Sequence, residues 1–298
     1  MTLFLGILIF SSIVNSIAIV PFIDFLYRAK FIRRGTPLGG GMLIISTVTL
    51  LYALLFPLLS PLGVSVTSFF PIKKELNIIF FTFISFGLLG FYNDIIKIFG
   101  FAKTGFFGLR IRHKLIIQTV LAVVISLMLF FNLQISIINI PFFGVLHLGW
   151  WYIPLATFII LAFTNAFNIS DSLDGLSCGV LIICLLAFWA LSVTSLDTPL
   201  SVFIALWIGA LISFLYFNVY PARIRLGNVG SLSFGATLAV VGLLLGKIVA
   251  LVVIGGIFLI APFHHWLRIK GWEKPKIVMR AWLAAVILAI FGLWLAHL

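Results

Sequence analysis

Runs of roughly 20 apolar residues, each closed by a short polar or glycine-rich break, recur along almost the whole chain. A run of that size crosses the hydrocarbon core of a bilayer as an α-helix, which satisfies its own backbone hydrogen bonds where water cannot. Ten such spans are expected, near 3–27, 42–60, 76–96, 115–133, 150–167, 175–194, 199–218, 231–246, 248–263 and 281–297. The first shows no short apolar core followed by a small-residue cleavage site, so it reads as a retained helix. After the fourth span, "NLQISIINIPFFGVLHLGWWYI" (132–153) alternates and carries Pro and Gly. That pattern predicts a short external β-hairpin resting at the interface, with Trp150 and Trp151 as anchors. The expectation is an all-α integral membrane protein, one polytopic domain over 1–298.

Composition supports this and limits the partners. The 298 residues are 63% hydrophobic and 9% charged, too apolar for a soluble domain. A net charge of +12 raises the question of a polyanionic partner, which the placement of the bases answers. Threading the spans alternately leaves only Lys73, Lys74 and Lys247 on one side, with every other Lys and Arg on the opposite side. Such a bias marks the basic side as cytoplasmic and both termini as external, so the charge reports topology and no nucleic-acid partner is expected. Cys178 and Cys184 fall inside the sixth span, where thiols act as small hydrophobes.

Three of the seven acids, Asp94, Asp171 and Asp174, fall at cytoplasmic ends of spans. Ionisable groups at membrane depth cost a few kcal/mol each unless they face a polar cavity or find partners. One reading makes them water-exposed caps, since Ser170 and Asp171 in "NAFNISDSLDGL" are good N-cap residues. The other makes them part of a site, because other polar features share their face. "GNVGSLSFG" (227–235) is a glycine-rich helix opening whose N–H groups suit an anion. "RRGTPLGGG" (33–41) is a second such turn, and "PFHHWLRIKGWEKP" (262–275) sets His264 and His265 beside a basic loop. Carboxylates, glycine-rich turns and surplus cations at one lipid–water boundary suit a diphosphate carried with Mg²⁺, since that ion takes one or two carboxylates plus phosphate oxygens.

These segments resemble a known family, the phospho-N-acetylmuramoyl-pentapeptide transferases, among the wider polyprenyl-phosphate N-acetylhexosamine-1-phosphate transferases. "GTPLGGGMLI", "FGLLGFYNDIIKIFG", "KLIIQ", "NAFNISDSLDGLSCG", "FNVYPARIRLGNVGSLSFG" and "APFHHWLRIKGWEKPKIVMRAW" match its motifs in order. The resemblance implies a ten-helix enzyme of the bacterial cytoplasmic membrane that uses Mg²⁺. It would transfer phospho-N-acetylmuramoyl-pentapeptide from its UDP-linked donor to undecaprenyl phosphate, giving lipid I and UMP, for peptidoglycan synthesis. It implies that Asn168, Asp171, Asp174 and Asn218 surround the uridine and diphosphate, that Asp94 and Lys97 form the catalytic loop, and that His264 and His265 lie beside the phosphates. Lys114 is a further candidate for the phosphate pocket, and a homodimer is the implied assembly.

The chain departs from the pattern at positions that bear on the chemistry. Asn93 stands where the family has the first of two paired acids, and Asn228 where it has a metal-binding acid. An amide offers a neutral oxygen in the same place without the charge, which predicts weaker Mg²⁺ affinity and lowered activity. Loss of the first acid costs less, because a phosphate monoester has a second pKa of about 6 and is already mostly a dianion at neutral pH. Arg225 replaces an aromatic that stacks on the base, a task a guanidinium can share. Trp266 stands for a third His, and the connection before "APFHHW" is short. Two alternatives stay open: a weak or inactive homologue that binds nucleotide-sugar or polyprenyl phosphate, and a related transferase of another UDP-N-acetylhexosamine.

Overall fold

A computed structural model describes residues 2–33, 35–99, 111–259 and 263–298, with side chains throughout these except 111 and 263–265. Eight long helices precede a break: α1 (Thr2–Arg28), α2 (Gly40–Leu59), α3 (Ile72–Phe99), α4 (Ile111–Leu133), α5 (Tyr152–Ser170), α6 (Leu176–Thr194), α7 (Thr198–Asn218) and α8 (Gly227–Leu244). Three short ones follow, α9 (Ile248–Ile254), α10 (Gly256–Leu259) and α11 (Phe263–Ile269), and then α12 (Lys274–His297). The chain is therefore an all-α membrane protein. The expected hairpin is present, with β3 (Ile137–Ile140) antiparallel to β4 (Gly144–His147) and Ile137 opposite His147. A smaller ribbon pairs β1 (Ile32–Arg33) with β2 (Thr36–Pro37).

Among the described residues, nine helices are long and apolar enough to cross a membrane, one fewer than the ten expected spans. The expected span at 248–263 is interrupted at Gly255, where the chain leaves α9 and restarts as α10. It still joins the two ends of the bundle. At one end Lys247 Nζ donates to the Ala296 carbonyl near the close of α12. At the other, Phe258 packs at a tilt of 34° against Phe167, near the close of α5, with ring centroids 4.8 Å apart.

Lipid tails are as apolar as leucine, so helices in a bilayer associate through close packing rather than by escape from the surroundings. Helix α8 shows what this requires: every residue from Gly227 to Leu244 is buried, against α3 on one side and α5 on another. Gly90 of α3 allows the approach, because a Cβ there would lie 2.1 Å from the Asn228 carbonyl oxygen. Deeper in, Phe83, Trp207 and Phe234 pack edge-on and stacked at 5.2–5.7 Å and fix α3, α7 and α8 together. On the rim, α1 and α12 present Ile9, Ile13, Ile17, Leu283, Ile287 and Ile290 outward. The start of α8 is thus held rigidly against the last turns of α3.

Candidate active site

The last turns of α3 and α5, the turn that follows α5, and residues 225–231 at the opening of α8 meet at one end of the bundle around a cavity of about 320 Å³. The segment leading into α2 closes it. Leu38 pairs with Arg225 in a parallel bridge, Arg225 N–H donates to the Pro37 carbonyl, and Gly39 and Gly40 N–H donate back to the Arg225 carbonyl. Gly41 N–H likewise donates to the Leu226 carbonyl. Segments almost two hundred residues apart are stitched into one wall. The cavity is lined by Arg33, Lys97, Asn168, Asp171, Arg225 and Asn228, with Leu38, Ser172, Gly227 and Ser231.

Asp94 is fully buried behind this wall. One carboxylate oxygen accepts from the Asn228 side-chain amide, and the other from the Val229 backbone N–H at 3.1 Å. Gly227 makes the approach possible: it takes a left-handed φ of 80°, and a Cβ there would sit 2.7 Å from Asp94 Oδ2. This corrects the expectation that the two glycine-rich turns offer free N–H groups to an anion. Val229 N–H is given to Asp94, and the amides of Gly39, Gly40 and Gly41 are given to the 225–226 backbone. An anion in the cavity must therefore be met chiefly by side chains.

The loop between α5 and α6 also departs from the capping reading. Asp171 closes α5 as its C-cap, and Gly175 is the N-cap of α6. The Asp171 carboxylate instead accepts from Ser177 Oγ at 2.6 Å. Burial pushes its carboxyl up to about 7; Asp94 and Asp174 add to the rise, while Ser177 and Arg225 oppose it. Asp174 ion-pairs with Arg225 at 3.5 Å and accepts from Ala222 N–H at 3.4 Å. The Nε of Arg225 is buried with no hydrogen-bond partner among the described residues, a donor held beside the cavity.

The other expected residues are placed differently from one another. Asn168 lines the cavity and accepts from Ser231 Oγ at 2.8 Å. Asn218 acts one layer below: it accepts from Gly175 N–H and donates to the Ile224 carbonyl, bracing the loop that carries Asp174. Lys114 on α4 lies within electrostatic reach of Lys97 and Asp94. Asn93 is buried and off the cavity, and its amide nitrogen has no partner among the described residues. The side chains of His264 and His265 lie outside the described residues.

Ser231 and Ser177 were not singled out in the sequence. Ser231 could have been, since a position three residues past Asn228 shares its face of a helix. Ser177 carries no such signal, because its partner Asp171 lies across a turn.

The family described as "Glycosyl transferase family 4" matches residues 76–247, from the start of α3 to the end of α8. The chain is 31% identical to the phospho-N-acetylmuramoyl-pentapeptide-transferase of Thermodesulfovibrio yellowstonii, over 88% of its own length and 80% of that protein. It is 32% identical to the enzyme of that name from Caldanaerobacter subterraneus subsp. tengcongensis, over 94% of the chain and 96% of the relative. The chain belongs to the phospho-N-acetylmuramoyl-pentapeptide-transferase family. The same-named protein of Bacillus subtilis aligns over 99% of the chain at 29% identity. The matched core carries Asp94, Asp171, Asp174 and Asn228.

Proposed function

We propose that the protein transfers phospho-N-acetylmuramoyl-pentapeptide from its UDP-linked donor to undecaprenyl phosphate, at the cytoplasmic face of the bacterial inner membrane. One observation carries the reading: three cations and a carboxylate, Arg33, Lys97, Arg225 and Asp171, converge from four distant segments on one cavity at the end of a transmembrane bundle. Such a place lets a water-soluble diphosphate meet a lipid phosphate. Lys97, Arg225 and Arg33 supply the positive charge that a diphosphate needs, and Asp174 holds the Arg225 guanidinium in place. Asn168 offers an acceptor for the nucleoside end.

Transfer needs no net proton. An oxygen of the acceptor phosphate, already a dianion at neutral pH, forms a bond to the β-phosphorus while the bond from that phosphorus to the bridging oxygen breaks and UMP leaves. Asp94, buried with both oxygens accepting hydrogen bonds, is poorly placed as a nucleophile, which favours direct attack.

Among the described residues no three His, Cys, Asp or Glu side chains gather as a metal cage. The donors present fit a Mg²⁺ that enters with the diphosphate, held by Asp171 and the Asn228 oxygen with Asp94 behind them. Bound so, the ion would neutralise charge building on the phosphate oxygens. Since the Asn228 amide already satisfies Asp94, slow turnover with retained nucleotide binding is the reading of second choice.

Purified full-length protein, incubated with UDP-N-acetylmuramoyl-pentapeptide, undecaprenyl phosphate and titrated Mg²⁺, is expected to release UMP only when both substrates are present. Nucleotide binding without UMP release would favour the second reading, and neither binding nor release would refute both.

A further inference from the structure

An acid faces the bilayer where the fold gives it no partner. Ile13, Ile17 and Val20 form an exposed ridge along α1, and spacings of three and four continue it through Asp24 and Tyr27. Helix α1 has 27 residues, about 40 Å against roughly 30 Å of hydrocarbon, so its last turns lie among lipid headgroups. Asp24 is one turn from that end. An ionisable side chain on such a face is costly unless something neutralises it. Among the described residues, the Asp24 side chain has neither an ion pair nor a hydrogen bond.

The same ridge borders a cavity of about 480 Å³ between α1 and the close of α7, lined by Val20, Ile23 and Phe217 and by the charges of Asp24 and Arg223. The Arg223 backbone N–H donates to the Phe217 carbonyl at 2.8 Å, which fixes the loop. Its guanidinium has no partner among the described residues, and no ion pair joins it to Asp24. One unpaired negative and one unpaired positive charge therefore border a single slot beside lipid. A simple anion would be drawn to Arg223 and repelled by Asp24, and a simple amine the reverse. A phosphate and an ammonium on one molecule satisfy both, with apolar tails running on past Val20 toward Ile17 and Ile13. A primary ammonium also brings three N–H donors to a carboxylate, which a quaternary ammonium lacks.

We propose that the pocket between α1 and α7 binds the headgroup of an aminophospholipid of the phosphatidylethanolamine type, its ammonium on Asp24 and its phosphate on Arg223. Binding of this lipid does not depend on the transfer reaction. It bears on the candidate site nonetheless, because Ala222 N–H donates to Asp174 and Arg225, two residues past Arg223, ion-pairs with it. A lipid seated on Arg223 steadies the segment that presents Arg225.

The test uses full-length protein in detergent, offered phosphatidylethanolamine, phosphatidylcholine and phosphatidylglycerol with identical chains and read by native mass spectrometry. The parent is expected to hold one phosphatidylethanolamine about tenfold more tightly than either rival. Asp24→Asn should bring phosphatidylethanolamine and phosphatidylcholine within about twofold of each other, and Arg223→Gln should lower occupancy by all three. Both side chains are exposed, so neither change disturbs the core. Equal retention of the three headgroups by the parent, or a preference that both variants keep, would overturn the proposal. Displacement by equimolar undecaprenyl phosphate would do the same, since the pocket would then be a site for the acceptor. In nanodiscs, amide exchange across 217–226 should slow when phosphatidylethanolamine is added to phosphatidylcholine, in the parent and not in Asp24→Asn. No slowing in the parent would reject the site whether or not the protein releases UMP.

Discussion

At Asn228 a carboxamide donates to the buried Asp94 carboxylate, so a neutral donor stands where a second acid would require a cation. Replacing it by Asn228→Asp puts two carboxylates in contact in a buried place, a cost of about 3 kcal/mol. The variant should melt at lower temperature than the parent in EDTA and recover with Mg²⁺ by a larger shift than the parent shows. Equal Mg²⁺ shifts by thermal denaturation would separate residue 228 from any metal role. Arg225→Ala removes a charge-assisted donor and should weaken binding of UDP about tenfold by calorimetry, which corresponds to ~1.4 kcal/mol. Asp171 gives a pH test. Its unfolded carboxyl ionises near 3.9 while the folded one, raised by burial, ionises near 7. Between those values the folded state keeps a proton that the unfolded state has lost, so folding is progressively disfavoured as pH rises, with no further change above about 7. Asp171→Asn should match the parent at pH 4 and exceed it at pH 8 by up to about 4 kcal/mol, about three pK units at about 1.36 kcal/mol each, read as melting temperature in detergent. The identity of these side chains was plain in the sequence. Their partners were not, because whether Asn228 faces a metal or Asp94 depends on a contact across 134 residues.

Helices carried most of what the sequence could reveal, since membrane spans announce themselves by length and apolarity. Two elements escaped that signal. Helix α3 begins at Ile72, four residues before the expected start near 76, because the polar run Lys73, Lys74 and Glu75 looked like a loop. Glu75 is nonetheless buried and accepts from Ser68 Oγ at 2.7 Å. The interrupted segment at 248–259 reads as uniformly apolar, and only the pair Gly255–Gly256 hinted at its break. The contact between α3 and α8 matters most for the site, because it sets Asp94 against the start of α8. Gly90→Ala would drive a methyl into the Asn228 carbonyl and should cost about 2 kcal/mol, with loss of UDP binding beyond what the fall in melting temperature explains. Retained stability and binding would mean that the two helices are not held by that approach.

At the scale of the molecule, the site is assembled from residues near 33, 97, 168–172 and 225–231, a convergence that no local pattern encodes. Ordered motifs and the family resemblance made it legible; apolar periodicity alone gave the bundle without saying which helix ends meet. The central claim is that this cavity opens to the cytoplasm and holds the nucleotide diphosphate. Ser172 lines it and is exposed, while both native cysteines are buried in α6. The most direct test is Ser172→Cys in sealed vesicles of known orientation, treated with a charged maleimide with and without UDP-N-acetylmuramoyl-pentapeptide. Labelling from the cytoplasmic side alone, suppressed by the nucleotide-sugar, is the predicted result; labelling from the external side, or labelling that the nucleotide-sugar leaves unchanged, would contradict it.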